Sequence, residues 1–559
     1  MGGTGEADLA FVNGPAYTVD AARSWANAVA VKDGRIVAVG SDDEVHPWVG
    51  RRTDVIDLAG RLLLPGFQDS HAHPVASGVD MLQCDLTAAH ALADYERIIR
   101  TYADEHPDDP WIVGSGWSMD IFPRGNPAKE ILDALVPDRP VYLPSRDGHS
   151  AWVNSRALEL AGITSETLDP PDGRIERTDT GEPQGTLQEG AMYAVSQLAP
   201  VESEETRAEG LRVAQRHLNR LGITAWQDAI VDVDLMYRSY GTYVDAAGRG
   251  DLSARVVGAL WWQRHLGMEQ VEDLLELRAN GRVGRFQATS VKIMQDGVIE
   301  NGTAATLTPY LDVHGHPTDN SGISFVEPAF LKEVVTRLDA EGFQVHFHAL
   351  ADRAVREALD AIEAARAANG ANDNRHHLAH IQVVHPNDIP RFHRLGVVAN
   401  GQPLWAMLEG AMVHLTIPFL GPERSGWQYP FASLHRAGAV LAFGSDWSVS
   451  SPDPLEEMHV AVNRTEPDRY TYASPDDPRE PFLPDERVDL PTAVAAFTIG
   501  SAFVNHLDDV TGSLEVGKFA DLVVLDRNVF TEPPDRISEA NVAYTFVEGR
   551  PVYEAPGAS

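Results

Sequence analysis

Cysteine is almost absent from this chain of 559 residues. Cys84 stands alone, so no intrachain disulfide framework braces the fold, and a reducing cytoplasm is the compartment expected. Long hydrophobic runs are missing as well. No window of about eighteen uncharged apolar residues occurs, so no membrane-spanning helix is expected. Residues Met1 to Asp8 lack the basic and apolar stretches of a secretory leader. Positive charge is scarce: 45 Lys and Arg against 82 Asp and Glu leave a formal net charge of −37. Such a surface repels nucleic acid and anionic membrane, which argues against both as partners. Lysine is the rarest of the charged residues. It occurs only at 32, 129, 292, 332 and 518, the other 40 basic residues being arginine. A GC-rich genome and a salty cytoplasm would each give that bias, and in either case a lysine at a chemically interesting position stands out.

What is present is a globular composition, 43% hydrophobic with 36 prolines and 46 glycines, in a chain long enough for two or three domains. Short strand-like runs fill the N-terminus (9–12, 28–31, 35–39, 54–57), with Asp33-Gly34 as a hairpin turn. Runs at 520–525, 542–547 and 552–553 echo them at the other end. These are read as one small composite β-sandwich formed by residues 1–64 and 509–559. Between the ends, strands alternate with amphipathic helices such as 205–221, 330–340 and 351–368, the pattern of an α/β parallel sheet or barrel. Strands are expected at 65–73, 222–228, 255–260, 290–295, 343–348, 375–382, 397–403 and 440–446. Eight is the count that closes a (β/α)₈ TIM barrel, here over 65–508, provided that 77–205 is an inserted α+β subdomain.

The most informative stretch is Pro65-Gly66-Phe67-Gln68-Asp69-Ser70-His71-Ala72-His73-Pro74. Alternate residues of a strand share a face, so His71 and His73 form a two-point clamp for a divalent metal. A bare H-x-H is as readily a pair of surface histidines, so the reading depends on further ligands. Barrel chemistry collects at the C-terminal strand ends. Those ends carry Lys292 on the fourth strand, His348 on the fifth, His380 on the sixth and Asp446 on the eighth. Taken singly, His348 reads equally as core packing, Asp446 as a helix cap and Lys292 as a salt bridge to nearby Asp296. Together they point to a metal centre. A desolvated Lys292 amine can also take up carbon dioxide as a bridging carbamate between two metals, which arginine cannot do; without it, one metal is expected. His149, in Asp147-Gly148-His149-Ser150 of the insertion, is a candidate to fold over the metals and touch substrate, with a loop-capping role as its alternative. Trp117, Trp405 and Trp447 are candidates to line an apolar pocket, or else are packing.

From PGFQDSHAHP onward the chain resembles the amidohydrolase superfamily, in particular its N-substituted formamide deformylase-like branch (amidohydrolase family 3). The resemblance rests on DGHSAWVNSRAL (147–158), GITAWQDA (222–229), VKIMQDG (291–297), FQVHFHALADRAV (343–355), HLAHIQVVHPNDIPRF (377–392), FGSDWSVSSPDPL (443–455) and GSLEVGKFADLVVLD (512–526). It implies the barrel with a composite sandwich and zinc or a similar dication. It also implies His71, His73, Lys292, His348, His380 and Asp446 as the metal and catalytic set, with His380 and Asp446 the catalytic members. Three positions depart from the family: Ala351 for glycine, Ala379 for glutamate and Ser448 for proline.

The expected reaction is hydrolysis of an amide or N-substituted formamide C–N bond by metal-activated hydroxide. Asp446 would accept the water proton and pass it to the leaving nitrogen. A mononuclear deaminase of a cyclic amidine, an esterase or carbamate hydrolase, an isomerase and a non-catalytic binding protein are the rivals. The partner expected is a small-molecule substrate, and the assembly a homodimer.

Overall fold

In the computed structural model, which describes residues 5–235, 237–470, 472 and 477–557, eight parallel strands lie side by side in sequence order. They are β1 (Phe67–Ala72), β2 (Ile223–Val231), β3 (Arg255–Trp261), β4 (Phe286–Met294), β5 (Gln344–Ala349), β6 (His377–His380), β7 (Val398–Gly401) and β8 (Leu441–Phe443). The row curls until its ends meet. Asp446 donates its N–H to the His71 carbonyl at 2.7 Å, and His73 donates to the Trp447 carbonyl at 2.9 Å. These backbone bonds bring the end of β8 to the end of β1 and leave the barrel nearly closed. The α/β barrel read from the sequence is thus present.

Four strands are shorter than their sequence patterns, among them β7, which spans only Val398–Gly401 of the expected 397–403. Pro65 belongs to a separate strand, Leu62–Pro65, which pairs with Leu522–Leu525. β6 stops at His380 because His380 (φ 75°) and Ile381 (φ 41°) leave the extended region. β8 stops at Phe443, since Ser445 turns its N–H onto the Asp69 carboxylate (3.1 Å) and Asp446 adopts φ 54°. Non-glycine residues hold such conformations only where the surroundings over-determine them, commonly at functional sites.

Helices α1 (Pro74–Asp80), α2 (Glu204–Arg220), α3 (Pro328–Ala340), α4 (Asp352–Asn369) and α5 (Pro454–Asn463) belong to the outer layer. α2 begins at Ser203, whose hydroxyl caps Thr206 N–H, with Glu204 and Glu205 in its first turn and His217 and Arg220 in its last; this charge order suits the helix dipole. α1 and α2 touch through glycine. A Cβ on Gly78 would run into the Gly210 backbone, and overpacking of this kind costs about 1–3 kcal/mol. The apolar faces of the helices meet the outward side chains of the strands in one large core that includes Trp226, Val291, Phe347 and Ile362.

Residues from both chain ends share a six-stranded sheet ordered Arg550–Glu554, Val542–Val547, Leu522–Leu525, Leu62–Pro65, Ala16–Tyr17, Trp25–Ala26. A second sheet, ordered Arg35–Gly40, Ala28–Lys32, Leu9–Val12, Asp54–Asp57, packs on it through an apolar layer in which the Phe11 and Phe546 rings meet edge to face at 5.2 Å. The stretch between β1 and β2 carries its own six-stranded sheet and a core around Trp117, Phe122 and Trp152. Residues 1–4 and 558–559, at the outer limits of the sandwich reading and in part of the leader reading, lie outside the described residues. Among the described residues, no helix is long and apolar enough to cross a membrane.

Candidate active site

Six of the residues read from the strand ends converge where β1 and β8 meet. Asp446 Oδ1 lies 2.9 Å from His73 Nε2 and 3.1 Å from His71 Nε2. His71, His73 and Asp446 can each offer one atom to a common cation. His380 approaches from β6, its ring 4.7 Å from that of His71 and its Nδ1 3.9 Å from Asp446 Oδ2. His348 on β5 lies 4.4 Å from the His380 ring. Lys292 on β4 places Nζ 3.4 Å from His71 Nε2. Except for His73, which is partly exposed, all six are buried.

Burial sets the charge states. It holds the imidazoles of His346, His348, His377 and His380 well below their ordinary pKa, and neighbouring cationic groups add to the shift. His71 is drawn down to about 3 by burial and by Lys292. Burial would raise the Asp446 carboxyl, but His71, His73 and His380 outweigh it and keep Asp446 ionised. Neutral imidazoles beside an ionised carboxylate are the states that metal ligation requires. Both ring nitrogens of His380 are buried without a hydrogen-bond partner, as is Nδ1 of His348, although Asp296 Oδ1 stands 3.4 Å from the latter. Orphaned buried nitrogens are costly. A dication among them satisfies what the protein leaves open, so this donor set fits a zinc-like ion.

Lys292 does not pair with Asp296. That carboxylate accepts the N–H groups of Ala305, Leu350 and Ala351 at 2.9–3.0 Å, and burial raises it to about 7. Burial brings the Lys292 amine down to about 7 against the opposing pull of Asp446 and Asp228.

Beneath the ligands runs a polar ladder that the sequence reading passed over. His346 Nε2 meets His71 Nδ1 at 2.8 Å, fixing the tautomer and direction of that ring. His377 packs on His346 with ring centroids 4.0 Å apart, and Asn400 links His377 (3.1 Å) to Ser70 (2.9 Å). Asp69 ties β1 to the turn after β8, accepting His71 N–H at 2.9 Å and the Ser445 hydroxyl at 2.5 Å. The signal was available for His346, which shares a strand face with His348. For Asp69, Asn400 and Ser70 it lay only in the three-dimensional approach. Tyr237, from the loop after β2, brings its ring 5.7 Å from His73, and no motif announced it.

The outer candidates divide. His149 reaches over from the insertion, its ring 5.2 Å from His348 and its Nδ1 2.8 Å from Glu189. Trp405 stacks on His380 at 5.3 Å and 12°. Trp117 and Trp447 make their ring contacts away from the six converging residues. The Trp117 ring is buried in the insertion core against Phe122 and Trp152, with its N–H on the Leu143 carbonyl. Trp447 stacks on His217 of α2. A position near a strand end fixes the Cα but not the direction of a large ring in the following turn. At the three departures, Ala351 fits an extended backbone at the start of α4, Ser448 reaches Asp80 at 3.3 Å, and Ala379 is buried in β6 directly before His380.

Comparison with known proteins identifies the family of the chain. The amidohydrolase family pattern matches residues 54–553. Protein LONG AFTER FAR-RED 3 of Arabidopsis thaliana is 31% identical over 98% of this chain and 92% of its own length. N-substituted formamide deformylase of Arthrobacter pascens is 28% identical over 98% and 99%. A crystal structure of an uncharacterized metal-dependent hydrolase from Pyrococcus furiosus shares the fold at a TM-score of 0.68 and 24% identity, covering 93% of this chain and 99% of the other. By the length of the family match and the near-complete overlap with the Arabidopsis protein, this chain belongs to the amidohydrolase family.

Proposed function

We propose that the protein is a metal-dependent hydrolase that cleaves the C–N bond of an uncharged N-substituted amide, with N-substituted formamides as the leading class. One observation carries the reading: Asp446 Oδ1 sits within 3.1 Å of both first-strand imidazoles, next to the unpartnered nitrogens of His380. His71, His73, His348, His380 and Asp446 would hold the cation, with Lys292 joining them as a carbamate if two are bound. When bound, such a cation supplies Lewis acidity toward a carbonyl oxygen and makes water more acidic.

The remaining work falls to the chain. Asp446, ionised and aimed into the ligand cluster, accepts a proton from the attacking water as its oxygen bonds to the carbonyl carbon. It then gives that proton to the departing nitrogen as the C–N bond breaks, leaving a carboxylic acid and an amine. His346 and Asp69 keep the His71 ring and the turn after β8 in place. His149 is placed to contact the substrate, and Trp405 to cover the N-substituent. The name of the Arthrobacter relative supports formamides as the first class to assay. A cytoplasmic location belongs to the same proposal and rests on the single cysteine.

The test is metal analysis by inductively coupled plasma mass spectrometry, followed by rate measurements on formamides, acyl-amino acids, carbamates, esters and cyclic amidines. Amine release from formamides or amides at two metals per chain supports the proposal. Ammonia release from amidines at one metal per chain supports the deaminase reading in its place. Light scattering on the same preparation reads whether the enzyme is the expected homodimer.

A further inference from the structure

Glu189 takes no part in the steps above, yet it is built into the edge of the site. It closes the insertion strand Pro183–Glu189 and sits at φ 50°, ψ −125°, where a side chain with a Cβ is strained. That bend turns its carboxylate inward. Oε1 accepts from His149 Nδ1 at 2.8 Å and from Thr303 Oγ1 at 2.7 Å. The main chain joins the same pair, Glu189 N–H donating to the His149 carbonyl at 3.0 Å. Thr303 is fixed in turn, its N–H on Asn301 Oδ1 at 3.0 Å. A Cβ at Gly297 would collide with both the Glu189 carboxylate and the Thr303 hydroxyl, so the glycine after Asp296 leaves the slot that Glu189 fills. Glu189 is buried, 6% exposed, and its carboxylate is gripped from the insertion on one side and the loop after β4 on the other.

Imidazole has two nitrogens on opposite edges of its ring. With Nδ1 committed to Glu189, Nε2 is what His149 has left to offer, and the ring lies 5.2 Å from His348. A carboxylate that binds one ring nitrogen sets the tautomer and the angle at which the other is presented. We infer that Glu189 is a positioning residue: by holding His149 Nδ1–H it fixes the angle at which Nε2 faces the substrate. The inference rests on the proposed role of His149 as a substrate contact. Orientation requires an acceptor at Oε1 rather than a negative charge. A glutamine side chain in that slot would therefore serve almost as well as the native carboxylate, whereas a methyl group would not.

The experiment has two arms on the metal-loaded, full-length enzyme. In the first, histidine-¹⁵N-labelled protein is examined by NMR without substrate. A slowly exchanging Nδ1–H signal is expected that disappears in His149→Ala and Glu189→Ala and persists in Glu189→Gln. Absence of that signal from the wild type overturns the inference. In the second arm, N-phenylformamide turnover is compared across Glu189→Ala, Glu189→Gln, His149→Ala and the double alanine variant. Glu189→Ala should lower kcat by about 10- to 100-fold with little change in KM. Glu189→Gln should stay within a few-fold of wild type, and the double variant should be no slower than His149→Ala. A double variant slower by the full Glu189→Ala factor would show a strut that acts independently of His149, and so overturn the inference. Loss of bound metal from Glu189→Ala would overturn it as well. If the wild-type enzyme turns over neither N-phenylformamide nor any other amide, it is the proposed function that fails, while the Nδ1–H signal still decides whether Glu189 orients His149.

Discussion

Replacing Asp446 by asparagine separates proton transfer from metal binding. The side chain keeps its shape, and its amide oxygen still faces His71 and His73, which Asp446 Oδ1 approaches at 3.1 and 2.9 Å. What is lost is an ionised carboxylate that those imidazoles and His380 keep deprotonated against the effect of burial. General acid–base catalysis contributes about 10²–10⁴-fold. At 1.36 kcal/mol per decade, that is about 2.7–5.4 kcal/mol of barrier. Four imidazoles remain to ligate, so metal content should stay above half that of the wild type. The assay pairs initial rates of amine release with metal analysis on the same sample. A kcat within tenfold of wild type, with metal in place, would refute the shuttle. A variant that loses metal in proportion to rate would leave Asp446 as a ligand only.

Three further outcomes follow. Lys292→Arg removes the lysine amine that the site places beside His71, so bound metal should fall from two per chain to one; wild-type apoenzyme should also recover activity more fully with zinc plus bicarbonate than with zinc in carbon dioxide-free buffer, and equal recoveries would count against the carbamate. Trp405→Ala removes the ring stacked on His380; with an aromatic pair contributing about 0.5–1.5 kcal/mol, kcat/KM should drop by roughly 2- to 13-fold and be largely restored by phenylalanine. Asp339 is held well below the usual carboxylate range because hydrogen bonds from His376, Asn369, Asn372 and Asn374 outweigh its burial. A carboxyl with a depressed folded pKa stabilises the fold above its unfolded value of about 3.9 and loses that contribution as pH falls toward the folded value. The melting temperature of Asp339→Asn should therefore be lower than that of the wild type at pH 7 and fall less steeply below pH 4, as read by calorimetry; parallel curves would refute this.

Much of the scaffold was legible because hydrophobic periodicity is local. Strand alternation put His71 with His73 on one face, and the order of strands in the sequence is their order around the barrel. The rarity of lysine singled out Lys292, which the structure places 3.4 Å from His71. What local pattern could not carry was direction and contact at a distance. Asp296 lies four residues after Lys292, yet it turns to three backbone N–H groups of other segments. Trp447 follows a strand that ends in the site, yet its ring packs on α2. The His346–His377–Asn400–Ser70 ladder joins four strands, and Glu189 meets His149 across 40 residues of the insertion. Such pairs exist only once the chain has closed.

The central claim is that β1, β5, β6 and β8 gather one cation-binding centre. Anomalous diffraction at the zinc edge, from crystals grown with zinc, measures this directly. The account predicts a strong peak bounded by His71, His73, His348, His380 and Asp446. A map with no peak there, or with its main peak elsewhere in the molecule, would contradict it.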